Sequence, residues 1–281
     1  MRLAAGKVMM NRNAPDALLD TTKKGYDDSK ALIRKWHGKG RLMYAITPRF
    51  APTSTNDQLE ATGILCKEHP DCYMQTHVSE NKGEVAWVKE LFPERKGYLD
   101  VYDHYGLCRP RAVFGHGIHL TDDELQVMHR TGSAISHCPT SNFFLGSGYL
   151  DVFRAQDEER PVRVGLGTDL GAGTSFSILA TLNEAYKAAQ LNGKALSAGH
   201  AFYLATRGTA RAMYMEDKVG SLAPGMEADL VVLDLKSTPI IEYRMRHCKD
   251  LEEALFIQMT MGDDRAVKAT YIAGRQVYSR D

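Results

Sequence analysis

The run Tyr73-Met74-Gln75-Thr76-His77-Val78-Ser79-Glu80 decides how this chain is read, because a strand-like stretch ends in it on a histidine, with a glutamate three residues later. Two further runs are built the same way. Ala112-Val113-Phe114-Gly115-His116-Gly117-Ile118-His119 ends on histidines, and Val162-Arg163-Val164-Gly165-Leu166-Gly167-Thr168-Asp169 ends on an aspartate. Polar residues that follow apolar strands at intervals of several tens of residues are what a (β/α) barrel sets on its catalytic rim. Each residue alone has a plain alternative. His77 could be a packed strand-end histidine and Glu80 a solvated helix opener, and for that pair the two readings balance. Of the histidine pair, His116 is expected to point along the barrel axis, while His119, just before a helix start, is expected to pack or cap. A carboxylate at Asp169, after a run of apolar residues and glycine, is costly unless metal, a protonated partner or amides receive it. Three such ends in register weigh far more than any one.

The rest of the chain supplies helices between these strands. Candidate strands are 2–10, 41–47, 73–77, 112–116, 133–137 and 162–168, and candidate helices are 27–38, 56–68, 83–92, 121–131, 175–191 and 197–214. Thr121-Asp122-Asp123-Glu124 is a capping-box pattern, and Pro93 stops the helix before it. Strands alternating with helices signal a parallel sheet in an α/β fold. Six strands fit where a closed barrel needs about eight. The deficit falls at the N-terminal side, so the first two strands are expected upstream of Met1, with a five- or six-stranded open sheet as the alternative. Residues 1–217 read as the barrel portion, strands three to eight. Residues 218–281 read as part of a small β-sandwich with a helix returning to the barrel. In this second part Gly220–Asp234 leads into a strand, and an Ala273-Gly274-Arg275 turn makes a hairpin within 266–278. The partner strands of this appendage are expected from elsewhere.

Composition sets limits on function. The 281 residues carry 35 basic and 35 acidic side chains, so charge gives no reason to expect nucleic acid or an anionic membrane as partner. Five cysteines, Cys66, Cys72, Cys108, Cys138 and Cys248, show no C-x-x-C spacing. An odd count without that spacing argues against a disulfide framework and for a reducing compartment, and a cytoplasmic location follows by default. No run reaches the roughly 18 apolar residues that span a bilayer. Arg49, with five planar donors, suits a carbonyl or ring acceptor, and Phe50 could stack on a substrate ring. Cys138-Pro139-Thr140-Ser141-Asn142 reads as a turn opening a helix rather than as a pocket lining. Trp36, Trp87 and the methionines Met9, Met10, Met213 and Met215 read as core.

Several strings resemble the guanine deaminases of the amidohydrolase superfamily over nearly the whole chain. They are Gly6–Met10, Tyr44-Ala45-Ile46-Thr47-Pro48-Arg49-Phe50-Ala51-Pro52-Thr53-Ser54, Thr76–Lys82, His137–Asn142, Gly165–Ser175 and Leu222–Asp234. The Thr-Pro-Arg-Phe and Thr-Ser-Phe-Ser elements narrow the likeness to the guanine branch. The resemblance implies a metal-dependent hydrolase of the (β/α)8 type that deaminates guanine to xanthine and ammonia at one zinc per subunit, with a homodimer in the full-length family. It implies His77 and Asp169 as zinc ligands, Glu80 as the group protonating the purine ring, and His116 as the group orienting the metal-bound water. By the same likeness Asp169 takes that water's proton, and Arg49 with Phe50 grips the base, which His77, Glu80 and Asp169 also contact. One departure stands out: the His-x-His pair of the family pattern has no match in this sequence. A partial sequence, inactive alone, is therefore expected. The alternatives are an aminohydrolase of another aminated heterocycle and a non-catalytic, purine-binding remnant.

Overall fold

Parallel pairing of apolar strands organises the first half of the chain in the computed structural model, which describes residues 2–280. Contacts divide the chain into two units. One runs to Ile135 and includes Ala155–Arg163; the other comprises Ser136–Arg154 and the chain from Val164 onward.

In the first unit the strands are β1 (Leu3–Ala5), β2 (Val8–Met9), β3 (Leu42–Pro48), β4 (Tyr73–Val78) and β5 (Ala112–His116). Their order is β1-β3-β4-β5, all parallel, and β2 also pairs with β3. Tyr44, Ala45, Ile46 and Thr47 are all buried, as a strand covered on both faces must be. The helices are α1 (Thr22–Trp36), α2 (Asn56–Glu68), α3 (Lys82–Leu91), α4 (Tyr98–His104) and α5 (Asp122–Thr131). Each of α1, α2, α3 and α5 starts where a side-chain oxygen accepts an amide of its first turn: Thr21, Thr55, Asn81 and Thr121. The capping box of Thr121 and Glu124 forms as the sequence predicts, and Gly132 closes α5 at φ +70°.

Two expectations change here. The strand expected over 2–10 is split at Gly6, where the backbone presses on β3 so closely that a Cβ would lie 1.8 Å from the Ala45 carbonyl oxygen. Helix α1 begins five residues before the expected 27, because Thr21 rather than Asp28 or Ser29 is its cap. Asp27 and Asp28 instead pair with Lys23 and Lys24 one turn earlier.

Strand β6 (Ala134–His137) and strand β7 (Arg163–Leu166) coincide with the remaining expected strands. The second unit then holds α6 (Pro139–Phe144), α7 (Val152–Ala155), α8 (Ile178–Leu191) and α9 (Ala198–Tyr203). After α9 the expected single helix over 197–214 breaks into a π-helical turn, Leu204–Gly208, followed by α10 (Thr209–Ala212). Gly165 of β7 is the physical reason: its Cβ would sit 2.9 Å from Thr209, so helix and strand meet backbone to backbone. Strand β8 (Leu230–Leu233) is followed by α11 (Pro239–Met245) and α12 (Leu251–Met261), which packs on α8 and α9. Strands β9 (Val267–Ile272) and β10 (Arg275–Ser279) form the hairpin read from sequence, turning through Ala273 and Gly274 at positive φ. The source of partners for β8 differs from expectation. β8 pairs antiparallel with β9, so this three-stranded sheet is made within the segment itself. No helix among the described residues is long and apolar enough to cross a membrane.

Candidate active site

The C-terminal ends of β3, β4 and β5 bring together five of the residues singled out above. Register sets His77 of β4 opposite Gly115 and Val78 opposite His116, so the two imidazoles come from neighbouring strands. Their ring centroids are 5.3 Å apart. The Nε2 of His116 lies 3.6 Å from a carboxylate oxygen of Glu80, which follows β4. The Phe50 ring is 6.1 Å from that of His77, and the Arg49 guanidinium lies 5.8 Å from the Phe50 ring centre.

Backbone strain concentrates at these ends. His116 sits at φ +71° and Ser79 at φ +48°. A left-handed backbone costs a residue with a Cβ roughly 1–2 kcal/mol, and such conformations gather where function over-determines them. Both turn the chain just as it leaves a strand, which leaves His116 buried, at 2% exposure, instead of projecting into solvent.

The protonation of His77 follows from its neighbours. Its Nδ1 lies 2.8 Å from the Arg49 carbonyl oxygen, which can only accept, so Nδ1 carries the proton and Nε2 keeps its lone pair. A backbone carbonyl in that position is the usual outer partner of a metal-ligating histidine. Burial, and then the nearby His116, push the His77 pKa down, which favours the neutral ring a metal needs.

His119 does not join this group. Its backbone amide donates to Ser79 O at 3.1 Å, and its side chain lines a cavity of about 690 Å³ among α3, α4 and α5. Trp87 corrects the core reading given above, and so does Trp36. They are 37% and 44% exposed, and Trp87 stands edge-on to Phe50 at 6.5 Å. Helical spacing alone could not separate an exposed tryptophan beside Phe50 from a buried one.

Glu84, one helical turn after Glu80, was not singled out from the sequence. It is 8% exposed, and burial raises its pKa, with nearby Tyr98 opposing the rise and the Glu80 charge adding to it. The folded state holds this proton to higher pH than the unfolded chain does. The group therefore stabilises the fold fully below the ordinary glutamic-acid pKa, and that contribution is lost as pH rises through the raised value. Glu84→Gln is expected to raise the melting temperature at pH 8 and leave it unchanged near pH 4. Thermal melts at the two pH values check this, and equal shifts at both would contradict it.

In the second unit, Asp169 follows β7 at φ +48°, in a tight loop whose Gly173 amide donates to the Asp169 carbonyl at 2.6 Å. A Cβ at Gly173 would lie 2.0 Å from Thr168 O, so this loop needs glycine there. The strand ahead of it is fixed by Thr209, whose hydroxyl accepts from Leu166 N–H at 3.0 Å and donates to Leu204 O at 2.7 Å. Gly167 N–H donates to His137 O at 2.9 Å, and the segment after His137 opens α6, as its sequence predicts, with Pro139 in the first turn. Thr140, Ser141 and Asn142 are buried.

One further grouping offers ligand types without the chemistry to use them. The ligand atoms of His37, Asp71 and Cys72 lie within 4.8 Å of one another. His37 Nδ1 accepts the Tyr44 amide at 3.0 Å, so its proton is on Nε2, which meets Asp71 at 3.0 Å. A protonated Nε2 has no lone pair for a metal. Burial, then the Asp71 charge, push the Cys72 thiol up to about 12, which keeps it out of the thiolate form. This is a structural hydrogen bond that joins α1 and its following turn to the segment before β4.

Residues 1–277 match the model of the amidohydrolase family. The chain belongs to the amidohydrolase family. It is 51% identical, over its full 281 residues, to the guanine deaminase of Escherichia coli strain K12. The structure of the E. coli guanine deaminase superposes on all of this chain with a TM-score of 0.98. A guanine deaminase structure from C. acetobutylicum with guanine bound in its active site is 33% identical, covers 97% of this chain and gives a TM-score of 0.86. The chain spans 64% of the length of the E. coli relative and 64% of the C. acetobutylicum chain. The α/β architecture with its parallel sheet is thus that of amidohydrolases, as the sequence resemblance implies.

Proposed function

We propose that this protein is a guanine aminohydrolase, converting guanine and water to xanthine and ammonia. The observation that carries the reading is the group at the ends of β3, β4 and β5, where His77, Glu80, His116, Arg49 and Phe50 meet. Likeness of 97–100% of this chain to 64% of the length of guanine deaminases supports the same substrate.

The donor types suit zinc, but the two assigned here are fewer than the roughly three protein ligands of a catalytic zinc site, the His-x-His pair being absent from this sequence. A neutral imidazole with its Nδ1 proton tied to a carbonyl is a good zinc ligand through Nε2, and a carboxylate is a good second one. We assign these roles to His77 and Asp169, as the family likeness implies. When bound, zinc lowers the pKa of its water to about 7, so that hydroxide is available at neutral pH.

The remaining steps belong to side chains of this chain. Arg49 donates to the purine's carbonyl or ring acceptors, and Phe50 packs against the ring face. Glu80 protonates a ring nitrogen, which makes the aminated carbon electrophilic. Asp169 accepts the attacking water's proton, and His116 orients that water. As the carbon–oxygen bond forms and the carbon–nitrogen bond breaks, the leaving amine takes up a proton and departs as ammonia.

The test is guanine turnover by the purified protein supplied with zinc, followed by the absorbance change to xanthine and by ammonia release. Equal amounts of both products are expected where a His-x-His pair completes the zinc ligand set, and this chain, which lacks that pair, is expected to be inactive alone. Binding without turnover would favour the purine-binding alternative, and turnover only of another aminated heterocycle would replace the substrate. Arg49→Ala is expected to raise KM for guanine about 10–100-fold, the loss of charged hydrogen bonds worth roughly 1.5–3 kcal/mol. A heterocycle lacking the carbonyl should be much less affected, and equal losses for both would remove Arg49 from substrate recognition.

A further inference from the structure

The carbonyl of Arg49 is more heavily bonded than a loop carbonyl needs to be. It accepts from the His77 amide at 3.2 Å, from His77 Nδ1 at 2.8 Å and from the Thr76 hydroxyl at 3.1 Å. Two residues further on, the Ala51 amide donates at 2.8 Å to the hydroxyl of Tyr102, which in turn donates at 2.8 Å to the His77 carbonyl. The Thr76 hydroxyl is also within reach of Tyr102, at 3.2 Å. Tyr102, Thr76 and Ala51 are all buried, so water does not compete for these bonds.

Tyr102 belongs to α4, an element that contributes nothing else to the group at the strand ends. Its ring is held independently of its hydroxyl, stacked on Tyr98 at 5.8 Å and tilted against Phe114 at 5.6 Å. A rigid ring thus delivers one hydroxyl to a point between two segments. One segment carries Arg49 and Phe50; the other ends in His77.

We propose that Tyr102 and Thr76 act as one positioning pair, locking the Arg49–Ala51 segment to the end of β4 so that the purine grip and the His77 imidazole keep a fixed spacing. The proposal rests on the reading of Arg49 as a substrate contact and His77 as a metal ligand. Neither Tyr102 nor Thr76 touches the substrate in this scheme. They act through the two carbonyls and one amide that they bind.

Tyr102→Phe removes the hydroxyl and keeps the ring packing, whereas Thr76→Val removes the second hydroxyl and Thr76→Ser retains it. Tyr102→Phe and Thr76→Val are each expected to raise KM for guanine about tenfold and to speed zinc release to a chelator about tenfold. Misplacement of a site by a fraction of an ångström has effects of this order. Thr76→Ser should behave as the unaltered protein. Because the pair acts as a unit, the double variant should be little worse than either single one. A purely structural role would lower the melting temperature without moving KM or zinc release. Unchanged KM and zinc release in folded Tyr102→Phe would overturn the proposal, as would losses that multiply in the double variant. Should Tyr102→Phe fail to fold, the Thr76→Val and Thr76→Ser comparison decides by the same readouts. If no guanine is turned over even where a His-x-His pair completes the ligand set, the functional reading fails on its own, and the zinc-release comparison still judges the pair.

Discussion

Glu80→Gln is expected to lower kcat for guanine by about 10²–10⁴-fold while leaving KM within a few fold, which is the range for removing a positioned proton donor. The amide preserves the volume and most of the hydrogen bonding of the carboxyl group but has no proton to transfer. The side chain of Glu80 is 14% exposed, and its carboxylate faces His116 Nε2 at 3.6 Å, across from the His77 ring. Zinc content should be unaltered, since Glu80 is not among the assigned ligands. Steady-state kinetics, guanine binding and metal analysis of the two proteins together make the check. A kcat within tenfold of the unaltered protein would remove Glu80 from proton transfer. Loss of guanine binding alongside turnover would make it a binding group instead.

How much of this could be read from residues alone depended on how local the determining physics was. The strands at 42–48, 73–78 and 112–116 were legible because each is an apolar run with a period set by its own backbone. His77, Glu80 and His116 were singled out because each lies at or just after the end of such a run. For His77 and Glu80 the residues alone left a packed or solvated role equally open, and their proposed roles came from the family likeness. Arg49 and Phe50 needed the family likeness, since an arginine after a strand is ordinarily a surface charge. Tyr102 was invisible. Its role depends on hydroxyl contacts to Ala51 and Thr76, 51 and 26 positions away, and nothing in Tyr98–His104 marks one tyrosine over another. Glu84 was hidden for a related reason, because a glutamate in the first turn of a helix looks like a response to the helix dipole. Its burial comes from tertiary packing. Helix α1 was misjudged at its start because two acidic residues that look like caps are partners of lysines four positions earlier. The π-helical turn at Leu204–Gly208 follows from a close approach of Thr209 to Gly165, which no periodicity encodes.

Gly6→Ala is the structural counterpart of the Glu80 change, and its expected outcome is a fall in melting temperature of about 5–10 °C. The added methyl would meet the Ala45 carbonyl oxygen at 1.8 Å and its carbon at 2.9 Å. Both are backbone atoms of β3, so no rotamer change can relieve the overlap. Overpacking of this kind costs about 1–3 kcal/mol, and roughly 2–4 °C accompanies each kcal/mol in a protein somewhat smaller than this one. Relief has to come from moving β1 and β2 away from β3, to which they are paired in register at Leu3–Leu42 and Val8–Thr47. Since β3 runs directly into Arg49, the same displacement should weaken guanine binding. It should do so without the loss of kcat expected for Glu80→Gln, because His77 and His116 lie on β4 and β5. Calorimetry and KM measured on one preparation test both halves. A Gly6→Ala protein that melts at the unaltered temperature would show that β1 and β2 shift freely over β3, and the close approach at Gly6 would then have no structural weight.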